Sequence, residues 1–263
     1  MSEQERNFFY LDIKDYFRFI KSVYKRGRSI SDYYNFQFIQ GYFLIKYLNS
    51  KDINIENFTV LDLANGFAGE TQALGEKCKV MVGLDLNIPP NGLNFPQIIG
   101  NANITPFQEE QFDLIICASL IEHISNPQVL LEEIFRILKT SGYIYISFPP
   151  FYSINGGHDF TPFHYFGKNF GVKLSKFFAK LLNRKRFGKP VIIQKDFETA
   201  FGNWGLYVMT IKKMRNLINN SNFQIIDQST KWLPVNFSKM PFFGEFLTWH
   251  VQFILKKKIE SQE

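Results

Sequence analysis

Cysteine is scarce in this chain, which has only Cys78 and Cys117 among its 263 residues. Both lie in apolar stretches far apart in the sequence, which excludes a disulfide framework and favours reduced thiols in a cytoplasmic protein. Long apolar runs are also absent, because none approaches the roughly 20 residues that cross a bilayer. Residues 1–7 are charged and polar with no apolar stretch behind them, so we expect no signal peptide.

Acidic residues are fewer than basic ones, with 24 Asp and Glu against 30 Lys and Arg, for a net charge of +6. An excess of this size is common on a solvated surface and does not by itself indicate an anionic partner. Apolar residues make up 45% of the chain and charged residues 21%. This composition excludes collagen-like and disordered chains and is sufficient for a sizeable core.

The first 57 residues show helical spacing and no strand pattern. Apolar residues recur every three or four positions over 10–24 and again over 35–48, and residues 25–29 interrupt the pattern. We therefore predict two helices, and we interpret residues 1–57 as an N-terminal helical lid.

From residue 58 the period changes to short β-branched runs that alternate with helical stretches, which is typical of βαβ units. We predict strands over 58–63, 79–86, 96–100, 112–117, 143–148, 223–227 and 248–255. We predict helices over 69–77, 126–139 and 210–220, with Thr210 as an N-cap. The predicted fold is α/β, a doubly wound and mostly parallel seven-stranded sheet with N-terminal helices and an insertion after the fifth strand.

Four segments follow from this pattern. The N-terminal lid covers 1–57, a cofactor-binding core covers 58–150, and an insertion that we expect to border an acceptor pocket covers 151–208. Residues 209–256 supply a C-terminal helix and the last two strands of the core.

Polar and small residues follow the predicted strands at the edge where such sheets bind ligands. The turn in 60–70 is rich in small residues, which permit close backbone approach to a ligand. Asp85 ends the second strand, where a carboxylate can accept two hydrogen bonds from ribose hydroxyls. Asn101 follows the third strand, where an amide can bind an adenine edge.

Together, these segments resemble the class I S-adenosylmethionine (SAM)-dependent methyltransferases, in the small-molecule branch similar to methyltransferase type 11. The resemblance covers residues 58–150 in order and extends weakly over 210–256. It implies SAM as cofactor, S-adenosyl-L-homocysteine as product and a Rossmann-like fold. The positions that it assigns to SAM are Asp62, Ala64, Asn65, Gly66, Asp85, Leu86, Asn101, Ala102, Cys117 and Ala118.

The chain departs from the family at its Gly-x-Gly-x-Gly turn, where Ala64 and Ala68 replace the outer glycines. These methyl groups would crowd a pyrophosphate but tolerate the uncharged methionine arm of SAM, so they disfavour NAD. The usual Asp after the third strand is Asn101, which keeps an acceptor for the adenine amino group.

Two segments carry candidate acid–base residues. Glu122 and His123 match a pair that helps bind a divalent metal in ubiquinone-type O-methyltransferases, but the carboxylate expected three residues earlier is Ser119, and we predict no metal site. His158 follows two glycines in the loop after the fifth strand, so it can reach inward. We predict His158 as the catalytic base, His123 as the second choice, and Asp159 or Glu122 as the orienting carboxylate. Alternatively, the histidines only brace an aromatic loop.

The leading interpretation is methyl transfer from SAM to an oxygen of a small-molecule, sugar or lipid-linked acceptor. A nucleic-acid methyltransferase is disfavoured because no Asn/Asp-Pro-Pro-aromatic box follows the fourth strand. A noncatalytic SAM-binding or partner-binding subunit is the alternative from another functional class.

A strongly basic segment spans residues 168–195, with no acidic residue between Asp159 and Asp196. Its cations are Lys168, Lys173, Lys176, Lys180, Arg184, Lys185, Arg186, Lys189 and Lys195. Apolar residues alternate with them at helical spacing, which predicts an amphipathic basic helix. Such a helix packs on the domain with its lysines in water, or contacts an anionic membrane or a phosphorylated acceptor.

Overall fold

The structure is a computed structural model that describes residues 10–90, 94–183, 185–187, 189–190 and 205–258. The first nine residues of the predicted lid lie outside the described residues. So do Arg184, Lys195 and most of the second half of the insertion.

Seven strands form one mixed sheet. In chain order they are β1 Thr59–Leu63, β2 Val80–Asp85, β3 Gln97–Ile99, β4 Phe112–Ala118, β5 Leu138–Phe148, β8 Phe223–Thr230 and β9 Val251–Lys257. Their spatial order is β3-β2-β1-β4-β5-β9-β8, and β9 runs in the direction opposite to the other six strands. Between β5 and β8, β6 Lys185–Arg186 and β7 Lys189–Pro190 form a separate two-stranded hairpin. The order reverses between β1 and β4, which is where doubly wound sheets bind their ligands.

The helices begin and end at residues that local chemistry favours. They are α1 Ile13–Lys25, α2 Ile30–Asn49, α3 Gly69–Gly75, α4 Pro127–Ile137, α5 Lys168–Leu181, α6 Ile211–Asn219 and α7 Gly244–Leu247. Asp12 and Asp15 form a capping box on α1, and Ser29 accepts the Asp32 amide at the start of α2. Thr210 caps α6 by accepting the Lys213 amide, which confirms the predicted N-cap.

Each face of the sheet carries its own apolar cluster. Helices α4 and α6 cover one face, with buried contacts from residues such as Ile134 and Met214. Helix α2 covers the other through Leu44 and Leu48, which pack near Tyr145. Both faces of the sheet are therefore covered by helices.

The predicted fold class is confirmed, but several boundaries were wrong: helix α2 begins at Ile30, before the predicted 35, and β8 extends to Thr230, past the predicted 227. Helix α4 stops at Ile137, and residues 138–142, predicted as the helix end and a turn, belong to β5. Leu138 pairs with Phe112 across a register shift, so sheet pairing overrides the helical spacing there. Strand β9 starts at Val251, three residues after the predicted 248. No helix in the described part of the chain is long and apolar enough to cross a membrane.

Candidate functional site

The turn between β1 and α3 winds tightly enough to require left-handed backbone. Ala64, Gly66 and Ala68 have φ values of 60°, 54° and 62°, so the two alanines adopt a conformation that glycine tolerates better. The Ala64 amide donates to Leu84 O at 2.7 Å, which ties the turn to the end of β2. The sequence departs from the family's glycines here while keeping the backbone conformation that glycine favours.

Asp85 faces this turn from the end of β2. Its Oδ2 accepts the Gly66 amide at 2.9 Å, and its Oδ1 accepts the Asn87 amide at 2.9 Å. Next to it, the side chains of Asn65 and Gln97 form reciprocal hydrogen bonds of 2.8 and 3.1 Å. The carboxylate is therefore fixed by two backbone amides beside the turn after β1.

Asp62 lies deeper, below the start of α3. Its Oδ2 accepts the Thr71 hydroxyl at 2.6 Å. Burial and then the nearby Glu70 carboxylate raise the pKa of Asp62 well above its usual range. Burial also raises the pKa of Glu70. Asp62 is thus tied to α3 through Thr71 at the inner end of the turn, close to the Glu70 carboxylate.

The structure places the other positions assigned to SAM along the same edge. Leu86 is half exposed after β2, and Asn101 is exposed, accepting the Asn103 amide at 2.9 Å. Ala102 is buried, and Ala118 is half-buried at the end of β4. Cys117 is fully buried, and burial raises the pKa of its thiol, so this thiol has little nucleophilic reactivity.

The loops after β4 and β5 bring Glu122, His123 and His158 together. His158 Nε2 lies 3.6 Å from Glu122 Oε1, and His123 Nε2 lies 4.0 Å from the same oxygen. The two imidazole rings are 5.0 Å apart, edge to face. Glu122 is 2% exposed, and neither carboxylate oxygen has a hydrogen-bond partner among the described residues.

The tautomer of His123 follows from its neighbour. Its Nδ1 contacts Gly205 O at 2.6 Å, and because a carbonyl only accepts, Nδ1 donates. The Nε2 lone pair then points toward the Glu122 side. Burial lowers the pKa of His123, and the Glu122 charge partly opposes that shift. His123 is thus harder to protonate than a solvent-exposed histidine.

His158 reaches this cluster because two glycines allow close packing. A Cβ on Gly156 would lie 2.1 Å from Pro150 O, and one on Gly157 would lie 2.3 Å from His164 Nδ1. His158 itself has φ of 48°, a left-handed conformation that is strained for a residue with a side chain. Strain of this kind concentrates at functional sites.

Asp159 points to a different partner. Its Oδ2 lies 3.8 Å from Arg186 Nη1 in the hairpin. Phe187, the next residue, has its ring centre 6.0 Å from that of Phe67 in the turn between β1 and α3, which is called the cofactor turn below. The hairpin therefore borders the site, and the carboxylate beside His158 Nε2 is Glu122.

Sequence reasoning missed a buried lysine. Lys231, directly after β8, is 1% exposed; its Nζ donates to Gln40 Oε1 at 3.4 Å and lies 4.0 Å from Glu70 Oε1. Burial and then Lys231 lower the pKa of His250 well below its usual range, while His250 Nε2 contacts Ser119 Oγ at 3.2 Å. A charged residue at a strand's end on the ligand edge was the available signal.

Three donor atoms of Glu122, His123 and His158 lie within 4.8 Å of one another. A carboxylate and two imidazoles with that separation match the donor set of a divalent transition metal. His123 would be oriented for this by its Nδ1–H bond to a carbonyl, as metal-binding histidines commonly are. The prediction of no metal did not consider His158 as a third donor.

Comparison with known proteins shows which family the central part of the chain is similar to. A family model described as "Methyltransferase domain" matches residues 61–146. A ubiquinone biosynthesis O-methyltransferase of Pseudomonas fluorescens is 25% identical over 107 residues, 36% of this chain and 46% of its own length. An uncharacterised protein of Methanocaldococcus jannaschii is 29% identical over 130 residues, 49% of this chain and 57% of its own. The chain thus spans about half the length of the curated relatives it matches.

Among solved structures, a SAM-dependent methyltransferase from Clostridium acetobutylicum superposes with a TM-score of 0.56 at 14% identity. The match covers 82% of this chain and 90% of that one, and at this identity it shows the fold alone. Residues 61–146 are thus similar to a methyltransferase domain, and the sheet around them has the fold of SAM-dependent methyltransferases.

Proposed function

We propose that the chain transfers the SAM methyl group to a hydroxyl of a small-molecule, sugar or lipid-linked acceptor. The observation that carries the proposal is the placement of Glu122 and His158 beside the turn after β1. Strand β4, which leads to Glu122, pairs directly with β1, so the acid–base residues and the cofactor turn share one edge. The curated relative's printed name, an O-methyltransferase, supports oxygen as the methylated atom.

The residues at the turn fit SAM. The Asp85 carboxylate faces the turn, and Gly66 would bring a Cβ no closer than 3.6 Å to Gln37, so the backbone leaves room there. Asp85 and Leu86 would hold the ribose, Asn101 and Ala102 the adenine, and Cys117 and Ala118 the pocket floor. Asp62, Ala64, Asn65 and Gly66 would contact the methionine end.

When bound, SAM supplies an electrophilic methyl group on a sulfonium. A new carbon–oxygen bond forms as the carbon–sulfur bond breaks, S-adenosyl-L-homocysteine leaves, and the hydroxyl proton must go to a base. His158 takes that proton, and the Glu122 carboxylate stabilises the imidazolium. Positioning and exclusion of water contribute the rest of the rate.

Asp159 and His123 keep supporting roles in this proposal. Asp159 holds the hairpin through Arg186 and thereby closes the site over His158. His123, whose Nδ1 donates to Gly205 O, is the second candidate base. If a divalent cation binds, Glu122, His123 and His158 would hold it, and it would polarise the acceptor oxygen.

The segments outside the sheet would enclose the acceptor. Helix α2 lies against the turn after β1, where Gln37 Oε1 accepts the Gly69 amide at 3.4 Å, and this contact supports the proposed lid over 1–57. The insertion over 151–208 supplies the loop with His158 and the hairpin. Helix α5 exposes Lys173, Lys176 and Lys180 beside Phe177, which supports contact of 168–195 with an anionic membrane or a phosphorylated acceptor.

The test combines binding with turnover. We expect calorimetry to show SAM and S-adenosyl-L-homocysteine binding, and labelled SAM to methylate a hydroxylated component of a small-molecule or lipid extract. Turnover that persists with a chelator supports His158 as a base, whereas loss restored by a divalent cation supports the metal role. Tight SAM binding without turnover on any extract would favour the noncatalytic subunit, and label in RNA or DNA would favour a nucleic-acid enzyme.

A further inference from the structure

Helix α1 carries an apolar stripe that faces away from the domain. Ile13, Phe17, Ile20 and Tyr24 follow one another at spacings of four, three and four residues, so they share one face. Their side chains are 63% to 75% exposed. The opposite face packs inward through buried residues such as Phe19. The stripe is therefore not required for the packing of α1 on the described residues.

Cations adjoin this stripe along its whole length. Each apolar residue is followed at once by a basic one, and the four are Lys14, Arg18, Lys21 and Lys25. One residue turns the helix by about 100°, so these cations form a second stripe directly beside the apolar one. Long basic side chains in that position can reach a water interface while the apolar face is buried.

The acidic residues of this helix do not neutralise the cationic stripe. Asp15 is buried on the inner face and binds Lys46 of α2. Asp12 caps the helix and lies 3.6 Å from Lys46. The outer face is therefore purely apolar and cationic, and it complements an anionic surface that also accepts apolar side chains.

We propose that this surface, named the α1 face and defined by Ile13, Phe17, Ile20 and Tyr24 with the adjoining cations, docks on an anionic lipid bilayer. Interfacial helices bind in this way, with apolar side chains among the headgroups and lysines and arginines at the phosphates. The proposal concerns a surface separate from the basic segment 168–195 and does not require methyl transfer.

The α1 face ends next to elements that border the site. The Phe187 amide of the hairpin donates to Gly27 O at 2.8 Å, just after α1. The Phe187 ring contacts Tyr33 of α2 at 5.7 Å and Phe67 of the cofactor turn at 6.0 Å. A bilayer on the α1 face would therefore lie near the rim of the site. A lipid-linked acceptor could enter from it, a consequence that rests on the proposed function.

The experiment is vesicle co-sedimentation of the full chain. Phosphatidylcholine vesicles are compared with vesicles that also contain phosphatidylglycerol, at low and at high salt. We expect binding to the anionic vesicles only, and less of it at high salt, because salt screens the cations. Equal binding to both vesicle types, or none to either, would overturn the proposal.

Two variants test the face itself. Phe17→Ser/Ile20→Ser removes apolar anchors and should weaken partitioning more than about tenfold. Arg18→Glu/Lys21→Glu reverses exposed charges and should weaken it by at least about tenfold. The controls are Ile226→Ser on β8 and Lys212→Glu/Lys239→Glu, which change exposed residues elsewhere and should partition as the unmodified chain does.

Folding and competing occupants are checked in the same variants. SAM affinity should be unchanged, which separates loss of docking from misfolding and from failure of the proposed function. The charge variant keeps every apolar side chain, so it remains informative if the serine variant is unstable. Unchanged vesicle binding in both α1 variants would overturn the proposal. A change in oligomeric mass in the serine variant without a change in vesicle binding would instead indicate a second copy on this face.

Discussion

The two halves of the carboxyl edge differ in how completely their polar groups are partnered. At the cofactor turn, Asp85 accepts two backbone amides and Asn65 exchanges two hydrogen bonds with Gln97. Across β4, both oxygens of the buried Glu122 have no hydrogen-bond partner among the described residues and face imidazoles at 3.6 and 4.0 Å. A group left in that state costs free energy unless a proton or ligand compensates it.

The difference suggests that one half of the edge serves cofactor binding and the other serves proton transfer. The cofactor half is preorganised by its own hydrogen bonds, so its variants should change affinity. The half that contains Glu122 and His158 carries the proposed acid–base groups, so its variants should change turnover, and some should stabilise the fold.

The largest effect is expected at His158. His158→Ala should lower turnover by about 10²–10⁴, because the acceptor proton loses its base, while SAM affinity stays intact. Single-turnover kinetics and calorimetry measure the two quantities. If turnover survives and only the melting temperature falls, then His158 braces the loop, and the prediction that it supplies the base is wrong.

At the cofactor half, Asp85→Ala should weaken SAM binding by about 2–3 kcal/mol, since hydrogen bonds to a charged group contribute roughly 1.5–3 kcal/mol and are not additive. Asp113→Ala is the matched control. That carboxylate also accepts a backbone amide, from Thr59 at 2.9 Å, but at the opposite edge of the sheet. Calorimetry that shows equal affinity for Asp85→Ala and the unmodified chain would contradict the ribose assignment.

Paired amide substitutions compare the two halves directly. Glu122→Gln should raise the free energy of unfolding by about 1 kcal/mol while lowering turnover, because it removes a buried carboxylate that accepts no hydrogen bond from the described residues. Asp85→Asn should lower the free energy of unfolding by about 1 kcal/mol, because charge-assisted bonds to two amides are lost. Urea unfolding of both variants measures these changes, and shifts of the same sign would show that the halves are not electrostatically different.

The pH dependence of stability should report the buried imidazole at the edge. The pKa of His250 is lowered on folding, so the unfolded chain binds more protons below pH ~6.5. Its contribution to stability is complete above that pH and is lost as the pH falls. In His250→Asn the free energy of unfolding should therefore fall less steeply on acidification, by at most about 1.4 kcal/mol per pH unit. Identical slopes in urea titrations at several pH values would exclude a buried neutral His250.

The smallest effect concerns the cofactor turn. Ala64→Gly should stabilise the fold by about 0.5 kcal/mol, because a left-handed residue loses its Cβ strain and this gain exceeds the added entropy of the unfolded chain. Thermal unfolding measures the change. A lower melting temperature would show that the methyl group contributes packing that outweighs the strain.

Local sequence pattern was sufficient to predict the helices and strands and to place Asp85 at the edge that carries the turn after β1. Apolar spacing predicted six helices and seven strands near their observed positions, because that spacing decides which face of each element can be buried. Because parallel strands end at one edge, Asp85 was expected at the same edge as the turn after β1, where its Oδ2 accepts the Gly66 amide at 2.9 Å. The end of α4 was mispredicted because pairing of Leu138 with Phe112 is a nonlocal contact.

The side-chain contacts around Glu122 and His158 depended on the course of the loops after β4 and β5. Sequence proximity favoured Asp159 as the partner of His158, but close packing at Gly156 and Gly157 turns the imidazole toward Glu122 and leaves Asp159 to Arg186. Lys231 could be read as a surface lysine until α2 and the sheet enclosed it beside Glu70. The sequence by itself determined the strands, helices and cofactor turn, since these follow from local periodicity and chain direction. Only the tertiary structure decided which charges meet, because loop backbone and nonlocal packing set those distances.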